Sequence, residues 1–273
     1  MEYVKYTVLV FVLVWLILFV ITGVFGLQNR FVFNPSMPVG KFIGEYPGVL
    51  QKYTQKTAAG NEIALWVVEG DAQKPVIILS HGRSAHKNTV LPLIKTLAEN
   101  GNTVIIYSYS GYPPSTGRPS EQNTYDDIYA VIKFAEEKLY AKPGHIILAG
   151  HSLGAAVAID AASRGDYHAV IAMVPFSSIP DVMKVWSRKM PLLHIFRVLP
   201  VKYRFDNAAK AGKITSPFYM FYSKEDYVTP YVMAEKLREK NKNIVSFAYE
   251  RGHHNDTGWF AADLADVIKK IND

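Results

Sequence analysis

Gly150-His151-Ser152-Leu153-Gly154 is the stretch of this sequence best suited to covalent chemistry. It follows the apolar run His145-Ile146-Ile147-Leu148-Ala149 and leads into Ala155-Ala156-Val157-Ala158, so a strand, a tight turn and a helix are predicted in that order. A serine on such an elbow takes a strained backbone, and glycines two residues to either side keep side chains out of the neighbouring strand and helix. The same placement puts Ser152 at a helix N-terminus, where the Leu153 peptide N–H can face an oxyanion forming beside the serine. The plainer alternative makes Ser152 an N-cap between two packing glycines.

A serine hydroxyl is a poor nucleophile until a base takes its proton, and with this type of elbow the partners follow in the chain order serine, acid, histidine. After the apolar run Phe218–Tyr222 comes Ser223-Lys224-Glu225-Asp226-Tyr227-Val228-Thr229-Pro230, which offers Asp226 as the orienting acid and Glu225 as its substitute. A helix-capping role is the bland reading of Asp226. After Ile244–Tyr249 comes Gly252-His253-His254-Asn255-Asp256, and one of these two histidines is the expected base. The other six are worse placed: His145 and His168 flank strands, His151 lies inside the elbow, His194 lies in an insertion, and His81 and His86 belong to a further loop. That loop, Leu79-Ser80-His81-Gly82-Arg83-Ser84, follows the run Val76–Ser80 and is positioned to give a second oxyanion donor, the Arg83 peptide N–H. His81 is expected to hydrogen-bond the loop rather than to react.

These residues must be held by a rigid frame, and the composition allows one. The chain has 273 residues, 49% hydrophobic and 20% charged, which excludes disordered and collagen-like classes. It contains no cysteine, so thiol nucleophiles, cysteine zinc sites and iron–sulfur clusters are excluded. Lys and Arg exceed Asp and Glu by 30 − 24 = 6, without basic runs, and no nucleic-acid partner is expected. Short β-branched runs at Glu62–Val68, Val76–Ser80, Thr103–Tyr107, His145–Ala149, Ala169–Val174, Phe218–Tyr222 and Ile244–Tyr249 alternate with helical patterns at Leu91–Glu99, Glu121–Tyr140, Ser152–Ser163, Pro230–Lys240 and Phe260–Ile271. Such alternation predicts an α/β domain with a mostly parallel sheet covered on both faces, whose ligands bind beyond the carboxyl ends of the strands. No GxxxxGK, GxGxxG or HExxH pattern is present, and no metal or organic cofactor is expected.

The amino-terminal end has a different character. Tyr6 to Leu27 holds 18 hydrophobic residues of 22, and no charge occurs between Lys5 and Arg30. As a helix it spans roughly 33 Å, close to the hydrocarbon thickness of a bilayer. The expectation is a single-pass signal anchor over residues 6–27, a linker over 28–45 and one catalytic domain over 46–273. A cleaved signal peptide is the rival, with Val24-Phe25-Gly26 near a plausible cleavage site. Lys5 and the amino terminus on one side nearly balance Arg30 and Lys41 on the other, so the basic-residue count is close to a tie, and the expectation is the amino terminus inside and the domain outside the cytoplasm.

Between Ala169–Val174 and Phe218–Tyr222 lies an insertion, about 176–212. Val182, Met183, Val185, Trp186, Met190, Leu192, Leu193, Ile195, Phe196, Val198 and Leu199 alternate there with Lys184, Arg188, Lys189, Arg197, Lys202 and Arg204. Either it is a lid, apolar toward a pocket and basic outside, or an ordinary helical insertion with a solvated charged side.

Taken together, His81-Gly82, the elbow, Tyr107-Ser108-Tyr109-Ser110-Gly111-Tyr112 with Gly117-Arg118-Pro119-Ser120-Glu121, Tyr203-Arg204-Phe205-Asp206-Asn207 and Gly252-His253-His254-Asn255-Asp256-Thr257 resemble the α/β-hydrolase superfamily, in particular its membrane-anchored α/β-hydrolase-domain branch acting on lipids and acyl esters. The resemblance runs from about residue 45 to the carboxyl terminus. In that branch the catalytic histidine is the third residue of Gly-x-His-Asn-Asp, which implies His254 rather than His253. Arg83-Ser84-Ala85-His86 departs from the asparagine- and glycine-rich turn usual there. The resemblance implies acyl transfer to Ser152 with His254 as base and Asp226 as its support, on lipid or acyl-ester substrates at a membrane. A thioesterase or peptidase with the same three residues and a non-catalytic membrane scaffold are the alternatives.

Overall fold

The computed structural model describes residues 2–189 and 201–272; the side chains at 2–4, 9, 16, 18–25, 27 and 189 lie outside that description. Eight strands form one sheet in the order β1-β2-β4-β3-β5-β6-β7-β8. They are β1 (Leu50–Lys56), β2 (Glu62–Val68), β3 (Val76–Ser80), β4 (Val104–Tyr107), β5 (Ile146–His151), β6 (Ala169–Met173), β7 (Phe218–Ser223) and β8 (Val245–Tyr249). β1 and β2 run antiparallel at one edge, and β4, β3, β5, β6, β7 and β8 are parallel. β3, β5 and β6 are buried along their whole length, which is why they read as unbroken apolar runs: a central strand covered on both faces has no side left for polar residues.

Helices cover both faces. α2 (Lys87–Ala98) and α8 (Ala261–Asn272) lie on one, where Leu93, Ile94, Leu264 and Ile268 pack against Ile77, Ile106 and Ile147. α3 (Glu121–Lys138), α4 (Leu153–Ala162), α6 (Asn207–Ala211) and α7 (Val232–Lys240) lie on the other, over Ile78, Ile105 and Leu148. All ten residues of α4 are buried, and its small side chains let the helix lie close on the sheet. α3 starts at Ser120, whose side chain accepts from the Asn123 N–H at 3.0 Å, an N-cap that satisfies a first-turn donor.

Three features differ from the sequence reading. β1 is a strand the apolar pattern does not reveal, because Leu50-Gln51-Lys52-Tyr53-Thr54-Gln55-Lys56 sits half-exposed at the sheet edge. α2 begins a turn before Leu91, since its exposed Lys87 and Asn88 carry no apolar signal. The stretch 28–45, expected as a linker, is helical to Val32 and buries Val32, Phe33, Val39 and Ile43 in the two cores.

The amino-terminal segment is one helix, α1 (Glu2–Val32). The expected span at 6–27 falls in good part on positions whose side chains lie outside the description, and among the described residues no helix is long and apolar enough to cross a membrane. Within the insertion, α5 (Ile179–Lys189) buries Ile179, Val182 and Met183 and exposes Lys184 and Arg188. The remaining apolar and basic positions expected for a lid, from Met190 to Leu199, lie outside the described residues.

Candidate active site

Because β3, β5, β7 and β8 are parallel, the loops that follow them open at one end of the sheet, and Arg83, Ser152, Asp226 and His254 lie in them. Ser152 joins β5 to α4 with φ 54° and ψ −111°, a strained positive-φ conformation of the kind an elbow imposes. The two glycines allow it. A Cβ on Gly150 would overlap the Gly154 carbonyl, and one on Gly154 would overlap the Ser80 carbonyl at the end of β3. The second contact brings the loop after β3 against the elbow.

Ser152, His254 and Asp226 form one hydrogen-bonded line. Ser152 Oγ stands 2.9 Å from His254 Nε2, and His254 Nδ1 stands 2.7 Å from Asp226 Oδ2. With Nδ1 facing the carboxylate, that nitrogen carries the proton and Nε2 accepts from the serine hydroxyl. His253 is exposed instead, and its carbonyl accepts from Trp259 Nε1. Glu225 is turned toward Arg251 and the Gly252 N–H.

Asp226 is itself held in place. Its Oδ1 accepts from the Val228 and Thr229 peptides at 2.8 and 3.0 Å, and Thr229 Oγ1 lies 2.9 Å from Oδ2. Burial pushes this carboxyl up, but hydrogen bonding and charge from His254 and the Thr229 bonds outweigh it, and the net shift is below the usual carboxylate range. Thr229 was not picked out by sequence; its only signal there was a position three residues after an aspartate, the spacing of a local side-chain turn.

His151 also has a structural part that its position in the elbow did not announce. Its Nε2 lies 2.9 Å from the His254 carbonyl oxygen, to which it donates. Burial pushes the ring down to about 3, with the nearby His254 ring acting in the same direction, so His151 stays neutral. It fastens the elbow to the His254 loop.

The tyrosines known at first only by resemblance brace the loop after β3. Tyr109 donates to the His81 carbonyl at 2.7 Å and Tyr112 to the Arg83 carbonyl at 2.8 Å, with both rings packed on the His81 ring. His81 Nδ1 donates to the Gly82 carbonyl at 2.7 Å, and burial pushes the ring down to about 4. Arg83 and Leu153 line the same cavity as Ser152, and Leu153, as the first residue of α4, has no helical partner for its N–H.

The cavity, about 440 Å³, has a mixed lining. Arg83, Ser84, His86, Thr229 and Asn255 are the polar lining beside Ser152 and His254; Phe176, Ile179, Val182 and Trp186 supply apolar walls.

The sequence model of the family described as serine aminopeptidase, S33, matches residues 71–207, half of the chain. The chain belongs to this α/β-hydrolase family. The S33-type match covers the loop after β3, the elbow and most of the insertion. Among full-length relatives, alpha/beta hydrolase domain-containing protein 17B of Xenopus laevis is 29% identical over 215 residues, covering 76% of this chain and 70% of that protein. The Homo sapiens protein of the same name is 28% identical with the same coverage. Among solved structures, the esterase Pf2001 of Pyrococcus furiosus superposes with a TM-score of 0.70 at 17% identity, covering 83% of this chain and 94% of that one, a likeness of fold. This α/β-hydrolase is therefore of the serine-hydrolase type.

Proposed function

We propose that this α/β-hydrolase is a membrane-held esterase that cleaves acyl esters of monoacyl lipids or lysophospholipids through an acyl intermediate on Ser152. The observation that carries the reading is the Ser152–His254–Asp226 line, whose Ser152 and His254 line a cavity that also has apolar walls. In the first half-reaction Ser152 Oγ attacks the ester carbonyl carbon while His254 Nε2 takes its proton. The carbonyl oxygen gains the negative charge, which the Leu153 and Arg83 peptide N–H groups stabilise. His254 returns the proton to the departing alkoxide, and the acyl group stays on Ser152. In the second half a water, deprotonated by His254, attacks the acyl carbon and releases the carboxylic acid and free serine. Asp226 keeps Nδ1 protonated and stabilises the imidazolium formed in each half.

Support for a lipid substrate comes from the apolar walls, and support for an anchor from α1. Val10, Phe11, Val12, Leu13, Val14 and Trp15 are all exposed, and six consecutive residues cover every face of a helix. Burial of that surface in lipid is worth about 25 cal/mol per Å² relative to water. In this reading the domain stands outside the cytoplasm, and protease protection in sealed vesicles tests the side.

The deciding experiment is fluorophosphonate labelling of the full-length protein in detergent, wild type beside Ser152→Ala, with the labelled residue located by mass spectrometry. Label on Ser152 supports the serine mechanism, and its absence from folded wild-type protein overturns it. Monoacylglycerols, lysophospholipids, acyl thioesters and aminoacyl amides then compete as substrates. A preference for the amides would return the function to that named in the family's description.

A further inference from the structure

Part of the catalytic cavity is walled by the very helix that carries the apolar amino-terminal run. Phe31 and Val32, in the last turn of α1, line the same space as Ser152 and His254. That turn is fixed from three directions. Phe31 stands edge-on to Trp186 of α5, with ring centroids 6.0 Å apart and planes at 85°. Gln28 Oε1 accepts from the Lys202 N–H at 2.7 Å, and the Tyr203 hydroxyl donates to Asn29 Oδ1 at 2.8 Å, which ties the turn to the chain returning from the insertion. The Arg83 guanidinium donates to the Arg30 carbonyl at 2.8 Å, and the Asn34 side chain donates to Ser84 Oγ at 2.8 Å.

We infer that the last turn of α1 is the acyl-chain wall of the pocket and that Phe31 sets which chain lengths are accepted. The inference rests on the esterase reading and extends it to a residue outside the loops that carry the chemistry. Its argument is the arrangement of surfaces. Phe31, Val32, Ile179, Val182 and Trp186 present hydrocarbon and aromatic faces to the cavity, where a polar head group would lose hydration without gaining partners. With the ester carbonyl at Ser152, the alkyl chain is the part of the substrate that matches this wall. α1 is unbroken, so axial distances along it are fixed: Phe31 lies four residues, about 6 Å, past the end of the apolar run at Leu27. In a bilayer that depth is the head-group layer, where the ester bonds of lipids lie, and a chain entering beside α1 reaches Ser152 without first crossing water.

The test uses the full-length protein in detergent with Phe31→Trp, Phe31→Leu and Phe31→Ala, each checked for cooperative melting. kcat/KM is measured for nitrophenyl acetate, butyrate, octanoate and dodecanoate. Phe31→Trp should lower the dodecanoate-to-acetate ratio by about tenfold, the scale at which pocket volume discriminates alkyl groups, with Phe31→Leu near wild type. Phe31→Ala should raise the relative rate on the longest chain. A dodecanoate-to-acetate ratio that none of the three variants moves overturns the inference. A second measurement is independent of hydrolysis: a photoreactive twelve-carbon fatty acid is crosslinked to Ser152→Ala protein and its attachment site mapped. Attachment to the peptides carrying Phe31 or Trp186 supports the wall, and attachment confined elsewhere overturns it. If wild-type protein fails to label with fluorophosphonate while the fatty acid still attaches at Phe31, the esterase reading fails and the chain-binding wall stands.

Discussion

The Arg83 guanidinium donates to the carbonyl oxygen of Arg30, and so one residue joins the exit of α1 to the loop beside Ser152. The Arg30 carbonyl belongs to the last turn of a helix, where carbonyls lack helical partners and a cation is favourably placed. The side chain thus positions a peptide whose N–H is the proposed oxyanion donor. Arg83→Ala keeps that N–H but frees the loop, and kcat on a short ester should fall by about tenfold, less than the loss expected for removing a donor outright. Arg83→Lys should recover part of it. Equal kcat in all three proteins would detach the guanidinium from the reaction.

Asp226 and Glu225 are neighbours in sequence with opposite surroundings. Asp226→Asn should lower kcat by about 10⁴-fold, as expected when the histidine loses the partner that fixes its tautomer. Glu225→Gln should leave kcat within about twofold, because its carboxylate lies at the surface near Arg251 and breaking an exposed pair is worth little. Steady-state rates on one ester distinguish the two.

Ser152 holds a positive φ that only glycine adopts without strain. Ser152→Gly should therefore melt higher than Ser152→Ala by a few degrees, corresponding to about 1 kcal/mol of relieved strain. Both variants should be inactive. Calorimetry of the two proteins side by side gives the comparison, and an alanine variant at least as stable as the glycine one would argue against strain at the elbow.

Much of this arrangement was legible in the sequence because central parallel strands and the loops after them leave strong local marks. Seven of the strands announce themselves as β-branched or aromatic runs, and the elbow glycines, Asp226 and the Gly-x-His-Asn-Asp stretch sit behind three of them. What stayed hidden depends on contacts between distant segments. β1 is a polar edge strand whose pairing with β2 gives it its place. His151 reaches the His254 carbonyl across 103 positions, and Gln28 reaches Lys202 across 174. Residues 28–45 look like a linker because their apolar side chains are scattered, and only the folded chain gathers Val32, Phe33, Val39 and Ile43 into the cores.

Asp127 supplies a pH test of the scaffold. Burial pushes its carboxyl up to about 7, against the opposing hydrogen bonds from the Ser110 N–H and hydroxyl at 2.7 and 2.6 Å. A carboxyl whose pKa is raised by folding binds its proton more tightly in the native state, so its contribution to stability is complete below about pH 4 and is lost as the pH climbs through 7. Wild-type protein should melt several degrees lower at pH 8 than at pH 5. Asp127→Asn, with an amide that mimics the protonated acid, should narrow that gap. An undiminished gap in the variant would assign the pH dependence to other groups.

The burial of Gln28, Val32 and Phe33 leaves the domain little slack. A tethered enzyme with a flexible stalk searches a hemisphere of solution, but here a continuous helix passes straight into the wall of the pocket. For such a helix in a bilayer, hydrophobic mismatch sets the tilt, and nothing between Leu27 and Arg30 is free to absorb it. Under the proposed anchoring, tilt would become torque on Arg83 and Trp186, and the thickness of the bilayer would become a mechanical input to the loop beside Ser152.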